Sequence, residues 1–140
     1  MKYITLLFVL FTSSCASHIN SNQERQLSII RQSSPELYVE EKSPTAAMWL
    51  GLLPGGGSFY TKQYGYGAVN LLTWPLSVLW DPFNGEGGAK DLNYESTMMK
   101  IKKSKQTEMS KLEDEYIQKR INSEEFYLKS KRLETKYTFE

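Results

Sequence analysis

The sequence is nearly empty of the two residue types on which most nucleophilic and zinc chemistry depends. Its 140 residues include one cysteine, Cys15, and one histidine, His18. A lone cysteine excludes an intramolecular disulfide. Without further histidines or cysteines there is no usual zinc site and no Ser–His or Cys–His nucleophile. We therefore interpret His18 as an incidental linker residue and predict no catalytic residue, no metal site and no enzyme.

An excess of charge of one sign is also lacking. Lys and Arg total 17, and Asp and Glu total 16. Removal of residues 1–14 would take Lys2 with it and leave 16 charges of each sign. This balance gives no argument for a nucleic-acid partner. No motif indicates a small-molecule substrate, because the Gly-rich "PGGGSFYTK" lacks the Gly-Lys-Ser/Thr of a phosphate-binding loop.

What the sequence does contain is apolar residues gathered into two blocks, residues 3–11 and 46–83, with polar sequence elsewhere. A chain arranged in this way is not expected to bury one large core. We predict a mainly α protein made of segments with separate roles.

The N-terminus, "MKYITLLFVLFTSSCASH", has one lysine, a short apolar run and then small residues. This is the layout of a signal peptide over residues 1–14. With Ser13 and Ser14 before the cysteine, it resembles the bacterial lipoprotein signal. That resemblance implies cleavage before Cys15, a diacylglycerol on its sulfur, and an envelope protein facing the periplasm. An ordinary cleaved signal and an uncleaved anchor remain alternatives.

The resemblance leaves the membrane undecided, because Ala16 permits outer-membrane sorting whereas an inserted hairpin would favour the inner membrane. After Cys15, residues 15–43 are mostly polar and are predicted to form an irregular tether, with a short helix around Leu27, Ile29 and Ile30 as an option.

Residues 44–83 are predicted to form a short apolar helical hairpin. The segments Pro44–Tyr60 and Gly65–Phe83 are joined by "TKQY", which is short enough to make them antiparallel. Glycines allow close helix packing, and aromatic residues suit membrane interfaces. The candidate membrane or partner contacts are Trp49, Gly55, Gly56, Gly57, Phe59, Tyr60, Gly67, Asn70, Trp74 and Trp80.

The stretch "LLPGGGSFYTKQYGYGAVNLL" resembles the two-transmembrane-helix domain. Gly55–Gly57 match its glycine-rich end of the first helix, Phe59 and Tyr60 its aromatic pair, and Gly67 the glycine that opens its second helix. The resemblance implies membrane association and no agreed chemistry. Whether the hairpin inserts or docks on a partner protein stays open at this point.

Residues 84–93 are predicted to be a Gly-rich loop, and residues 94–140 a charged helical region. One long amphipathic helix is expected to end near Lys119. A second helix then begins after Asn122, with Glu125 completing a capping box. Together they should form a C-terminal helical hairpin.

Residues 111–134 resemble the short C-terminal domain (SHOCT) family, through Ile121, Glu124, Glu125, Phe126, Lys131 and Leu133. Lys119 stands where that family has a glycine. The resemblance implies oligomerisation or protein contact, and a solvated hairpin without a partner is the alternative. The predicted tail contacts are Leu112, Tyr116, Ile121, Phe126 and Leu133.

The sequence thus predicts a non-enzymatic, lipid-anchored envelope protein that scaffolds or regulates a membrane complex, with lipid and an envelope protein or a second copy as partners. One alternative is an outer-membrane lipoprotein whose apolar hairpin docks on a partner. The other is a small membrane-perturbing or exclusion factor.

Overall fold

The structure is a computed structural model that describes residues 19–139. As predicted, the fold is mainly α, and the described residues contain no strand. The helices are α1 (Ser21–Ser33), α2 (Pro44–Leu50), α3 (Gly56–Tyr60), α4 (Tyr64–Leu72), a 3-10 helix (Leu76–Leu79), α5 (Asp81–Ile117) and α6 (Ser123–Lys136).

The described residues divide into two compact units. The first, here called the apolar unit, contains Lys42–Leu92. The second, here called the charged unit, contains Asn20–Glu41 and the chain from Asn93 onward. The long helix α5 supplies residues to both units.

The charged unit has a small hydrophobic core formed by α1, α5 and the end of α6. Ile30, Leu37, Ile101 and Tyr137 are buried together, and Leu133 packs against them. The prediction of an irregular tether over residues 15–43 is therefore wrong for residues 21–33. Those residues form α1, because the apolar side of this short polar helix finds partners more than 70 positions away in the sequence.

The C-terminal hairpin is confirmed, including its cap. Asn122 and Glu125 exchange side-chain and backbone hydrogen bonds in a capping box at the start of α6. The ring centroids of Tyr116 and Phe126 lie 4.9 Å apart across the turn. Lys119 has a φ of 54°, the left-handed conformation that favours glycine. The turn therefore requires the left-handed conformation at the position where the resembled family has glycine.

The predicted apolar hairpin of two helices over residues 44–83 is wrong in detail, because residues 44–80 form three short α-helices and a 3-10 helix, and α5 begins at Asp81. The first helix ends at Leu50, and the chain turns before Gly55, whose φ is 69°. Lys62 makes the predicted turn with a φ of 63°. The second segment stops at Leu72, because Pro75 lacks the N–H that a continuing helix would need.

The predicted Gly-rich loop over residues 84–93 is also wrong, because this segment belongs to α5. Two of its three glycines, Gly85 and Gly88, serve close packing. A Cβ atom at Gly85 would lie 2.8 Å from the carbonyl oxygen of Ala47, and one at Gly88 would collide with the side chain of Gln63. Glu86 and Lys90 form an ion pair one turn apart, at 2.9 Å.

Candidate interaction surface

A buried polar cluster lies at the centre of the apolar unit. Asp81, the first residue of α5, is fully buried. Its Oδ1 accepts hydrogen bonds from Ser58 Oγ at 2.5 Å and from Asn70 Nδ2 at 2.6 Å. Its Oδ2 accepts one from the backbone N–H of Gly57 at 3.2 Å. One side chain therefore holds together α3, α4 and α5.

Asn70 is the second hub of this cluster. Its amide also donates to Ser58 Oγ at 3.0 Å, and its carbonyl oxygen accepts from Trp80 Nε1 at 2.8 Å. Networks of this kind reinforce one another in a low-dielectric interior. Asn70 therefore bonds to Ser58 of the first apolar segment as well as to Asp81 and Trp80. Two buried atoms of the unit, Gln63 Oε1 and Ser77 Oγ, have no protein partner.

Close backbone contacts surround the cluster. A Cβ atom at Gly57 would lie 2.9 Å from the carbonyl oxygen of Asp81 and 3.0 Å from that of Ala47. A Cβ atom at Gly67 would lie 2.7 Å from the ring of Phe59. The predicted glycines thus lie between helices rather than on a contact surface, and the Phe59 ring covers Gly67.

The large apolar side chains of this unit point outward. Leu72 is 85% exposed, Leu79 72% and Trp49 67%. The unit is therefore inverted, with polar and small residues inside and large apolar residues outside. Further exposed apolar residues are Leu52, Leu53, Phe59, Tyr64, Val69, Leu71, Trp74, Leu76, Trp80 and Phe83.

The predicted membrane or partner contacts thus separate into two groups. Trp49, Phe59, Trp74 and Trp80 belong to the exposed surface. Gly55, Gly57, Gly67 and Asn70 are buried, whereas Gly56 and Tyr60 are half-buried. Tyr60 OH accepts a hydrogen bond from the backbone N–H of Ser43 at 3.3 Å, and Lys42 Nζ lies 4.4 Å from its ring centre.

Sequence reasoning identified neither Ser58 nor Asp81 as a polar core residue. An acidic residue that directly follows a long uncharged apolar stretch was the available signal, since such a residue needs internal partners. It also missed Leu72 and Leu79, whose outward direction depends on where the short helices begin.

The predicted tail contacts are mostly used within the charged unit. Leu112 is buried, and Leu133 packs on the core. Ile121 and Phe126 are half-buried, and Tyr116 is 42% exposed. The exposed apolar residues near the turn are instead Ile117, Tyr127 and Leu128.

Charged pairs join α5 to α6. Lys136 Nζ lies 2.7 Å from Glu108 Oε1, and Tyr137 OH donates to the same oxygen at 3.0 Å. The hydrogen bond from Lys136 holds the pKa of Glu108 below its usual value, and the same bond raises the pKa of Lys136. Lys129 pairs with Glu115 at 3.4 Å, closer to the turn between α5 and α6.

Comparisons with protein-family models, with curated proteins and with solved structures found no match. Cys15, the predicted lipidation site, and His18 lie outside the described residues. Within residues 19–139, no three His, Cys, Asp or Glu side chains form a group that could hold a metal ion. No helix in that same range combines the length and the apolar character required to cross a bilayer.

Proposed function

We propose that this protein is a non-enzymatic, lipid-anchored component of the bacterial cell envelope that scaffolds or regulates a membrane complex. In this proposal Cys15 carries the lipid, the apolar unit lies at the membrane, and the charged unit meets a protein partner or a second copy. The lipid on Cys15 is the one covalent group that the proposal requires.

The observation that carries the proposal is the contrast between the surfaces of the two units. The apolar unit exposes leucine and tryptophan side chains, and from residue 43 to residue 80 its one charged residue is Lys62. The charged unit instead exposes lysines and glutamates along α5 and α6. Exposed apolar surface of this extent marks a membrane or protein interaction site.

The end of the C-terminal hairpin is the best candidate for the protein contact. Ile117 is 74% exposed and Tyr127 62%, and both flank the turn between α5 and α6. Apolar side chains within a charged surface are the usual centres of protein interfaces. This placement supports the contact role that the sequence resemblance implies for the tail, but assigns it to different residues.

A second candidate function is that of an outer-membrane lipoprotein whose apolar unit docks on a partner protein. The same exposed leucines favour it, since a protein groove can cover them as well as lipid can. The two candidates share the lipid on Cys15 and differ in what covers the apolar unit.

The first experiment labels cells with a palmitate analogue and compares wild type with Cys15→Ala. The proposal expects label on the wild type alone, and mass spectrometry should place the mature N-terminus at residue 15. Label on both proteins, or an unmodified Cys15, would contradict the anchor.

Crosslinking of Ile117→Ser/Tyr127→Ser then tests the contact, with Gln106→Ser/Lys102→Ser on exposed positions of α5 as control. Loss of a crosslinked species in the first variant alone is expected, and an unchanged pattern would exclude this surface.

A further inference from the structure

We infer that the apolar unit is a wedge seated in one leaflet of a lipid bilayer, with its outer side chains among the acyl chains and its polar cluster sealed inside. This inference rests on the proposed membrane attachment and deepens it, because it names lipid as what covers the apolar surface. Three observations carry it.

The first observation is that the apolar surface is spread over the unit rather than confined to one element. Trp49 on α2, Leu53 between helices, Leu72 on α4 and Leu79 on the 3-10 helix are each more than half exposed. A protein interface has an apolar centre and a polar rim. From residue 43 to residue 80 the one charged residue is Lys62, and the other charges of the unit lie at its ends, at Lys42 and from Asp81 onward. Lipid acyl chains require no rim and accept apolar side chains from every element.

The second observation is that the backbone bonds to itself even where the helices are interrupted. Leu53 N donates to Leu50 O at 2.9 Å, and Gly56 N to Leu53 O at 3.0 Å. In the next turn, Gln63 N donates to Ser58 O at 2.9 Å. Hydrocarbon offers no partners to N–H groups, so irregular backbone is tolerated there only when it is satisfied internally. Loops that face water have no such requirement.

The same pattern continues between α4 and α5. Thr73 N donates to Val69 O at 3.0 Å, Leu76 N to Thr73 O at 2.9 Å, and Trp80 N to Ser77 O at 3.1 Å. The N–H groups of Thr73, Leu76 and Trp80 thus bond to carbonyl oxygens of the turns that precede them.

The third observation is the direction of the polar side chains. Asp81, Asn70 and Ser58 bond to one another in the interior instead of reaching the surface. A soluble unit would gain from exposing such groups to water. In lipid the same groups must find partners inside the protein.

The lengths of the elements indicate one leaflet. The seven residues of α2 and the nine of α4 correspond to about 10 and 13 Å of helix. A hydrocarbon core is about 30 Å thick, so one leaflet contributes about 15 Å. Exposed aromatic residues such as Trp74 and Tyr64 are of the type that anchors proteins at the interface.

The sequence supplies its own probe for this inference. All three tryptophans of the chain, Trp49, Trp74 and Trp80, lie in the apolar unit. The full chain with Cys15→Ala, which cannot be lipidated, is reconstituted with phosphatidylcholine vesicles. Tryptophan fluorescence is then quenched from three positions: by brominated lipids with bromines near the headgroup, by lipids with bromines near the midplane, and by iodide in water. The N-terminal apolar run contains no tryptophan, so the fluorescence originates in the apolar unit alone.

The inference expects strong quenching by the shallow lipid, weaker quenching by the midplane lipid and little by iodide. The variant Leu72→Ser/Leu79→Ser should move the equilibrium from the inserted to the water-exposed unit by about tenfold per leucine. Lipid quenching should then fall while iodide quenching rises. The control is Met99→Ser, which removes from α5 of the charged unit an apolar side chain that is 64% exposed, and which should change nothing.

Three results would overturn the inference. Strongest quenching at the midplane would mean that the unit lies deeper than one leaflet. Strong iodide quenching without lipid quenching would leave the surface in water. Weak quenching by all three, together with a crosslinked dimer, would assign the surface to a second copy. None of these bears on the lipid at Cys15, which palmitate labelling reads separately.

Discussion

Asn70 on α4 donates a hydrogen bond to Asp81, the first residue of α5, over 2.6 Å, and both side chains are buried. Asn70→Ala would leave Trp80 Nε1 without its acceptor and take one donor from Asp81. We expect a loss of about 2–4 kcal/mol in the free energy of unfolding, as is usual when a buried network loses one member. Chemical denaturation followed by tryptophan fluorescence measures it for this unit. Asn22→Ala, at an exposed position of α1, is the control and should change stability by less than about 0.5 kcal/mol. Equal stability of the two variants would show that the network contributes little.

Alanine substitutions at two glycines of the apolar unit should change its stability in opposite directions. A Cβ atom at Gly57 would lie 2.9 Å from a backbone oxygen, whereas one at Gly65 would have nothing within 4 Å. Gly57→Ala should therefore destabilise the unit by about 1–3 kcal/mol. Gly65→Ala should stabilise it by about 0.5 kcal/mol, because alanine has less freedom to lose on folding. Thermal denaturation of the pair measures both changes, and a shift in the same direction would contradict the packing described.

Replacement of Lys119 by glycine should stabilise the C-terminal hairpin. Its φ of 54° is unfavourable for a residue with a Cβ atom. Lys119→Gly removes that penalty but makes the unfolded chain more flexible, so the expected net gain is about 0.5–1 kcal/mol. The same substitution at Lys102, within α5, should cost about 1 kcal/mol. Thermal unfolding followed by circular dichroism measures both variants. A lower melting temperature for Lys119→Gly would indicate that the lysine side chain contributes a contact that outweighs the strain.

The ion pair between Glu108 and Lys136 should make part of the stability depend on pH at both extremes. The pKa of Glu108 is lowered by its hydrogen bond with Lys136, so its contribution is present above the ordinary value of 4.5 and is lost as the pH falls through the lowered value. The pKa of Lys136 is raised by the same bond, so its contribution is present below 10.5 and is lost as the pH rises through the raised value.

Between those limits the free energy of unfolding of wild type should exceed that of Glu108→Gln by only a few tenths of a kcal/mol. The difference is small because both side chains are partly exposed to solvent. Denaturation at a series of pH values measures this difference, which should shrink at acid pH and again in strong alkali. Glu113→Gln, at an exposed position of α5, is the control and should show no such window. A difference that stays constant from acid to alkali would contradict the role of the ion pair.

Local sequence signals were sufficient for the C-terminal hairpin but not for the rest of the fold. The capping box at Asn122 involves residues three positions apart, so it can be recognised from the sequence. Ile30 packs in a core with Ile101 and Tyr137, and nothing within the polar segment around it indicates those partners. The α1 helix was therefore only an option within a predicted tether.

Glycine was misinterpreted for a related physical reason. The glycines between residues 84 and 93 are typical of a loop when only neighbouring residues are considered. In the structure Gly85 lies beside the carbonyl group of Ala47, where its small size matters more than its flexibility. Asp81 is a comparable case, because its turn-like sequence context conceals its bonds to Ser58 and Asn70.

The carbonyl oxygen of Ala47 faces Gly57 and Gly85 at once, at distances that leave no room for a methyl group on either. Substitutions at Gly57 and Gly85 are therefore coupled. A movement of α2 that makes room for a side chain at one position also changes the contact at the other. Descendants of this sequence should keep both small while their outer leucines exchange for isoleucine, valine or phenylalanine. In related sequences, the most strongly conserved positions of the apolar unit would then be its smallest residues rather than its large apolar ones.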